Sequence, residues 1–204
     1  MKTKAVFLVD AGTGNIQSVA KALTSLGAQV HLVKTPRELA AGLVVLPGVG
    51  AFGQFITGLS SRALIEPLRA AAARGDPLLG ICVGMQAFFE SSEEFGDFGG
   101  LGLLPGRVVR FNETEHLKVP HTGWNQLWPQ NGGGPLFKGL KEGSYVYFNH
   151  SYFCRACQQD TCAITDYIEN FVSMVQRQNI YGVQFHPEKS QRVGLKILSN
   201  FLEL

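Results

Sequence analysis

The stretch PLLGICVGMQ, residues 77–86, decides the fold of this 204-residue chain. Residues 77–81 have the apolar composition of a short buried strand, and that strand runs directly into Cys82. The residues around the cysteine have the form G-x-C-x-G, with Gly80 and Gly84 on either side. Small residues are required there because a tight strand-to-helix turn crowds a nucleophile while it holds the side chain clear of the sheet. We therefore predict that Cys82 is a nucleophile on such a turn, followed by an amphipathic helix.

The helix expected after Cys82 also bears on the reactivity of its thiol. Free N–H groups and a partial positive charge at a helix N-terminus favour the thiolate, which is the nucleophilic form. An isolated cysteine is more often a buried structural residue, but the two flanking glycines and the strand-turn-helix context favour catalysis here.

A thiol nucleophile needs a base, and the base needs a group that orients it. Among the five histidines, His186 stands in the segment QFHPE at the end of a strand pattern. Residues i and i+2 of an extended chain point the same way, so Glu188 can reach the imidazole of His186. Pro187 favours an extended conformation at His186. The pair is predicted to be base and orienting carboxylate, although two metal ligands are an alternative for this spacing.

Outward from Cys82, the first half of the chain alternates strand patterns with helical ones. Asn15 is expected to cap the first helix and Gly27 to close it. The alternation is typical of a parallel sheet covered by helices. Strands are predicted at residues 4–10, 29–34, 43–46 and 77–81, and helices at residues 14–27 and 61–75.

The second half is predicted to contain short strands and turns, then a final helix. The strands are expected at residues 107–111, 145–149, 162–167, 171–176 and 180–184, and the helix at about residues 190–204. A glycine-rich loop occupies residues 131–135. Neither a repeat nor a long linker divides the sequence, so one mixed sheet in a single domain, residues 1–204, is the simplest architecture.

A glycine loop, GVGAFG at residues 48–53, follows the third predicted strand. It fits the G-x-G-x-x-G pattern of dinucleotide sites, but it does not open a first strand-helix-strand unit and lacks the acidic partner expected downstream. Beside the cysteine strand, its N–H groups are better suited to stabilising the oxyanion of an acyl-transfer reaction.

Composition and charge exclude several classes of protein. Apolar residues make up 45% of the chain and charged residues 17%, which is enough apolar material for a core. The net charge of +2 gives no reason to expect a nucleic-acid or anionic-membrane partner. No stretch approaches the length of a membrane span, so the expected location is cytoplasmic.

Four cysteines in a chain of this length are not a disulfide framework. Cys154, Cys157 and Cys162 form a C-x2-C-x4-C cluster that suggests zinc, but the second spacing fits no common zinc pattern. Three cysteines on neighbouring strands are the favoured interpretation, so neither a metal nor a cofactor is expected.

Together these segments resemble the class I (triad) glutamine amidotransferases. Among them, the PHTGWN segment at residues 120–125 and the GTGN loop at residues 12–15 are similar to those of the glutaminase subunits of imidazole glycerol phosphate synthases. The resemblance covers essentially the whole chain. It implies a flavodoxin-like, three-layer α/β/α fold with a mixed, mainly parallel central sheet.

The resemblance also implies an activity and a partner. The expected reaction is the hydrolysis of glutamine to glutamate and ammonia through a cysteine thioester. The ammonia is expected to pass through a channel to a separate cyclase subunit with a (β/α)8 barrel fold, as a heterodimer. That partner makes imidazole glycerol phosphate in histidine biosynthesis, and since the chain ends just after the glutaminase segment, it is expected to be another polypeptide.

Residue roles carry over by matching positions. Cys82, His186 and Glu188 match the catalytic triad. The resemblance assigns the oxyanion hole to Val49, Gly50 and Val83, glutamine binding to Gln86, Glu94, Ser151 and Tyr152, and the cyclase interface to Asn15, Trp124 and Lys189. Ala11 and Thr122 depart from the tyrosine and methionine common in the family, and both departures concern the expected interface.

Two other functions stay open on the sequence. A paralogous ammonia-supplying glutaminase of a surface-sugar pathway shares most of these motifs. A non-catalytic binding module of the same fold is the other, although the intact Cys82, His186 and Glu188 argue against it. The glutaminase of pyridoxal phosphate synthesis usually has alanine at the position of Val83 and lacks the Trp124 segment.

Overall fold

The sheet of the protein has a parallel half and an antiparallel half, in a computed structural model that describes residues 4–204. The first-half elements are β1 (Ala5–Val9), α1 (Ile16–Ser25), β2 (Gln29–Val33), β3 (Leu43–Gly48), α2 (Phe52–Ser61), α3 (Ile65–Arg74), β4 (Leu78–Cys82) and α4 (Val83–Gln86). The remaining elements are β5 (Ser91–Ser92), β6 (Phe98–Gly99), β7 (Gly106–Arg110), β8 (His121–Pro129), β9 (Ser144–His150), β10 (Tyr152–Ala156), β11 (Thr161–Asp166), β12 (Asn170–Arg177), β13 (Ile180–Val183) and α5 (Gln191–Leu202).

Five neighbouring strands run parallel in the order β2-β1-β3-β4-β13. This is the 2-1-3-4-5 order of flavodoxin-like sheets, with its fifth strand supplied from near the C-terminus. Every residue of β3, β4 and β13 is buried, as expected for parallel strands covered on both faces. The predicted mixed α/β/α fold is confirmed.

Strand register brings the predicted site segments to one edge of this sheet. Cys82 ends β4 directly opposite Gly48, the last residue of β3. On the other side of β4, Ile81 pairs with Val183, so the chain that follows Val183 lies beside Cys82. Ligands of open α/β sheets bind at the carboxyl ends of such strands.

The helices differ from the prediction in four respects. Asn15 precedes α1 but its side chain makes no capping hydrogen bond. Helix α2 was not predicted, and α3 begins at Ile65 rather than at residue 61, because the chain turns at Ala63 with a φ of +55°. The helix after Cys82 is a single fully buried turn and not an amphipathic helix.

The antiparallel half continues the sheet through β12, β10 and β7. The predicted strands of this half are present, but β5, β6, β8 and β10 were not predicted. Strand β8 pairs with β9 along seven residues, from the His121–His150 pair to the Leu127–Ser144 pair. Within residues 4–204, no helix has the length and apolar character needed to cross a bilayer.

Candidate active site

Cys82 occupies a strained turn between β4 and α4. Its φ of +55° and ψ of −112° lie outside the regions that a residue with a side chain prefers. The turn is possible because glycine flanks it: a Cβ on Gly80 would lie 2.6 Å from the Met85 nitrogen, and one on Gly84 would lie 1.8 Å from the Leu46 oxygen. The predicted role of the two glycines is thus explained by close backbone packing. Cys82 is 3% exposed and is not part of a disulfide.

The segment after β13 delivers His186 and Glu188 to the same place. His186 Nδ1 lies 3.0 Å from Glu188 Oε1, and both side chains are almost completely buried. The His186 N–H donates to the Tyr147 oxygen, and the Ser190 hydroxyl donates to the His186 oxygen. These bonds fix the backbone of His186. Because Nδ1 faces the carboxylate, Nε2 is the ring nitrogen left for the sulfur of Cys82.

The electrostatics of His186 favour its charged form. Burial alone would lower the pKa of His186. The negative charge on Cys82, the hydrogen bond between the imidazole and that sulfur, and the Glu188 carboxylate outweigh burial and raise this pKa above its ordinary value. A thiolate beside an imidazolium is the form of a cysteine nucleophile that is ready to attack.

A cavity of about 110 Å³ opens over Cys82 and His186. It is lined by every residue to which the family resemblance assigned the oxyanion hole or glutamine binding: Val49, Gly50, Val83, Gln86, Glu94, Ser151 and Tyr152. Of the predicted interface residues, Lys189 also lines the cavity, so it lies nearer to the reacting atoms than expected. Asn149 and His150 complete the wall and were not predicted.

The Gly48–Gly50 loop closes one side of this cavity. Gly50 has a φ of +86°, in the left-handed region that favours glycine, and an added Cβ would meet no atom within 4 Å. A side chain at position 50 is therefore disfavoured by the backbone conformation and not by a clash with neighbouring atoms.

Glu94 is a half-buried carboxylate at the mouth of the cavity. Burial raises its pKa, against the opposing effect of the Phe52 N–H, which donates to Oε2 at 2.6 Å. Glu94 also lines a wider, mostly apolar cavity of about 610 Å³ that includes Arg62, Phe95 and Phe98. Since the wider cavity is lined by neither Cys82 nor His186, the candidate chemistry belongs to the smaller one.

Gln184, which the sequence analysis missed, lies beside the sulfur. Its Nε2 is 3.7 Å from Cys82 Sγ, and its Oε1 accepts from Gln86 Nε2 at 3.1 Å. Gln86 Nε2 also donates to the Tyr152 oxygen at 2.9 Å. The position of Gln184 beside the sulfur depends on the pairing of β13 with β4, which no local sequence pattern specifies.

His150, in the cavity wall, forms a buried pair with His121, which is not among the lining residues. His150 Nδ1 donates to the Tyr152 oxygen at 2.8 Å, which leaves Nε2 as the acceptor for His121 Nδ1 at 3.1 Å. Burial is the main cause that lowers the pKa of His150 to about 3 and that of His121 to about 4. Both rings are therefore neutral at pH 7, and His150 helps to hold the Tyr152 carbonyl in place.

Two of the predicted interface residues, Trp124 and Lys189, lie near one another through Tyr147. Trp124 is 47% exposed on β8 and packs edge-on against Tyr147, with 6.1 Å between ring centroids. Lys189 Nζ lies 5.7 Å from the centroid of the same ring. Asn15 is half-buried just before α1, and α1 contacts the segment that carries Lys189.

The cysteine cluster is only partly on strands. Cys154 lies in β10 and Cys162 in β11, both of which pair with β12, whereas Cys157 lies in an exposed turn. Burial raises the pKa of the Cys154 and Cys162 thiols. In the described part of the chain, no group of three or more His, Cys, Asp or Glu side chains could hold a metal ion.

The model of the class-I glutamine amidotransferase family matches residues 7–204 of the chain. The chain is 46% identical over 202 residues to the imidazole glycerol phosphate synthase subunit HisH of Moorella thermoacetica, covering 98% of this chain and 94% of that one. It is 47% identical over 206 residues to the subunit of the same name in Gloeobacter violaceus, covering 99% of this chain and 90% of that one. A solved glutamine amidotransferase structure matches with a TM-score of 0.74 and 18% identity, covering 98% of this chain and 99% of that chain, which supports the fold alone.

Proposed function

The chain belongs to the class-I glutamine amidotransferase family, and we propose that it is the ammonia-supplying subunit of an imidazole glycerol phosphate synthase in histidine biosynthesis. The observation that carries the proposal is the convergence of Cys82, the His186–Glu188 pair and the glycine loop on one cavity. Near-complete alignment with subunits of that name, at 46–47% identity, supports the pathway.

In the proposed reaction, Cys82 attacks the side-chain amide carbonyl of glutamine. The attacking thiolate forms a C–S bond, and the carbonyl π electrons move onto oxygen to give a tetrahedral oxyanion. N–H groups of Val83 and of the Val49–Gly50 loop stabilise that oxyanion, because preorganised donors aimed at a developing charge lower the barrier. The negative charge thereby moves from the sulfur to the carbonyl oxygen, which lies in the oxyanion hole.

His186 moves the protons of the reaction. The imidazolium gives its proton to the amide nitrogen, the C–N bond breaks, and ammonia leaves behind a glutamyl thioester on Cys82. The neutral imidazole then takes a proton from water, whose oxygen attacks the thioester carbonyl. The C–S bond breaks, and glutamate leaves while the thiolate is restored.

Glu188 and the cavity wall have supporting roles. The Glu188 carboxylate holds Nδ1–H of His186, so that Nε2 faces sulfur and substrate, and it stabilises the imidazolium without taking a proton. Gln86, Glu94 and the backbone of Ser151 and Tyr152 bind the amino-acid head group of glutamine. Glu94 offers a carboxylate for the α-ammonium group.

The released ammonia passes to a separate cyclase subunit with a (β/α)8 barrel fold, in a heterodimer. Asn15, Trp124 and Lys189 contact that partner. Lys189 lines the cavity and also lies over the Tyr147 ring that packs against Trp124, which supports an interface that adjoins the glutamine site.

The test is a glutaminase assay of the purified chain, alone and with a cyclase subunit and its nucleotide ligand. Partner docking can reorient the Val49–Gly50 peptide, and one oxyanion donor is worth about 10² to 10³ in rate. We expect low activity alone and at least about a tenfold increase with the cyclase and ligand. Absence of glutamine hydrolysis under both conditions would overturn the proposal, and stimulation by a surface-sugar synthase instead would reassign the pathway.

A further inference from the structure

Gln184 lies between the catalytic sulfur and the residue proposed to bind the substrate head group. It follows β13 immediately, its N–H donates to the Ser173 oxygen at 3.0 Å, and its side chain is completely buried. Its two amide atoms face different partners, Cys82 Sγ and Gln86 Nε2. A buried amide with two such partners is held in one orientation.

The backbone carbonyl of Tyr152 determines how the side-chain amides of Gln86 and Gln184 are oriented. The Tyr152 oxygen can only accept, so the end of the Gln86 amide that lies 2.9 Å from it must be the nitrogen. The same nitrogen donates to Gln184, so the facing atom of Gln184 must be its oxygen. The nitrogen of Gln184 is then the atom that faces Cys82 Sγ. A flipped Gln184 would place two donors against each other and a carbonyl oxygen against the sulfur.

We propose that Gln184 is a positioning residue that donates a hydrogen bond to the Cys82 sulfur and fixes the Gln86 amide for glutamine binding. The first role supplies a neutral donor to the thiolate from the side of β13, in addition to the imidazole. The second uses both N–H groups of Gln86 inside the protein. Gln86 therefore presents only its Oε1 to the substrate, as an acceptor for an N–H of the head group. The second role rests on the proposed glutaminase function.

Two substitutions separate these roles. Gln184→Glu can still accept from Gln86, and its ionised form cannot donate to sulfur and adds a negative charge beside it. Gln184→Met removes both contacts at similar volume. Val183→Ala is the matched control, because it opens space in the same buried strand but leaves both amides in place.

The first measurement is the pH dependence of Cys82 alkylation by iodoacetamide, read on the Cys82 peptide by mass spectrometry. It requires neither glutamine nor a partner, so it is independent of the proposed function. The exposed Cys157 serves as the internal reference in each digest. His186, Glu188 and the Cys154 thiol on β10 also act on Cys82, and all are unchanged in the three variants.

Loss of a hydrogen bond to a charged group corresponds to a shift of about one pH unit or more. We expect the midpoint of Cys82 alkylation to rise by about one unit in Gln184→Met and by more in Gln184→Glu, with no change in Val183→Ala. An unchanged midpoint in a folded Gln184→Met variant would overturn the donor role, and if Gln184→Met does not fold, Gln184→Leu, which also removes both contacts, takes its place.

Glutamine kinetics test the second role in the complex with a cyclase subunit. Gln184→Met should lower kcat about tenfold and also raise KM several-fold, whereas Gln184→Glu should lower kcat by more than tenfold with little change in KM. The tenfold factor corresponds to the shift of about one unit in thiolate formation expected for Gln184→Met. An unchanged KM in a folded Gln184→Met variant would overturn the positioning of Gln86.

Discussion

Replacement of Gly84 by alanine should break the turn that carries Cys82. The added Cβ would lie 1.8 Å from the Leu46 carbonyl oxygen, whereas real Cβ atoms essentially never come within 3.0 Å of such a neighbour. Backbone cannot rotate away as a flexible side chain can, so β3 and the turn would have to separate by more than an ångström. Overpacking a core usually costs about 1–3 kcal/mol, and a clash with backbone belongs at or above the upper end of that range.

We expect Gly84→Ala to lower the free energy of unfolding by at least about 3 kcal/mol, which is roughly a 10 °C drop in Tm for a domain of this size. Urea denaturation followed by circular dichroism measures the change. Gly99→Ala is the control, because a Cβ there would meet nothing within 4 Å and its φ is not in the left-handed region. The control should change stability by less than about 0.5 kcal/mol. A Gly84→Ala variant as stable as Gly99→Ala would refute the packing of the turn.

Three further predictions concern stability, chemistry and assembly. Below pH 6.5 the unfolded chain protonates His121 and His150, whereas the folded chain keeps both neutral down to about pH 4. The free energy of unfolding, measured by urea titration at several pH values, should therefore fall as the pH is lowered from 6.5 to 4, by at most about 2.7 kcal/mol per pH unit. A free energy of unfolding that does not change over this pH range would refute the burial of the pair. Glu188→Gln keeps an acceptor for the imidazole but removes the negative charge, so the glutaminase kcat of the complex should fall about 10²-fold while synthesis from ammonia is retained. Full glutaminase activity in this variant would show that the charge is unimportant. Trp124→Ala should weaken cyclase binding at least about fivefold in calorimetry, whereas Trp128→Ala on the same strand should not, and equal effects would refute the assignment of Trp124.

The parallel strands could be predicted because their burial leaves a direct trace in the sequence. β1, β3 and β4 are runs of apolar residues, and such runs are the pattern of strands covered on both faces. Helix α2 leaves no such trace. Its Gly58 is required because a Cβ there would lie 2.0 Å from the Ala11 oxygen, and this tertiary contact places a poor helix former in a helix.

In the candidate site, too, local contacts could be predicted from the sequence and long-range contacts could not. The contact between His186 and Glu188 is local and was predicted from their spacing, although Pro187–Lys189 form a 3-10 turn and not the extended chain that the prediction assumed. The approach of His186 to Cys82 across 104 positions depends on the insertion of β13 beside β4, which no local pattern specifies. The Gln184 contacts depend on the same insertion, and β10 must also be in place before Tyr152 can orient Gln86.

The most direct test of the proposed chemistry is the Cys82→Ser variant, assayed in the complex with a cyclase subunit using either glutamine or ammonia as the nitrogen source. Wild-type complex quenched with acid during turnover should carry a glutamyl adduct on the Cys82 peptide, and the variant should carry none. If Cys82 releases ammonia from glutamine, the variant loses synthesis from glutamine by at least about 10³-fold and keeps the wild-type rate with ammonia. Retained synthesis from glutamine in the variant would contradict the role of Cys82 as the nucleophile.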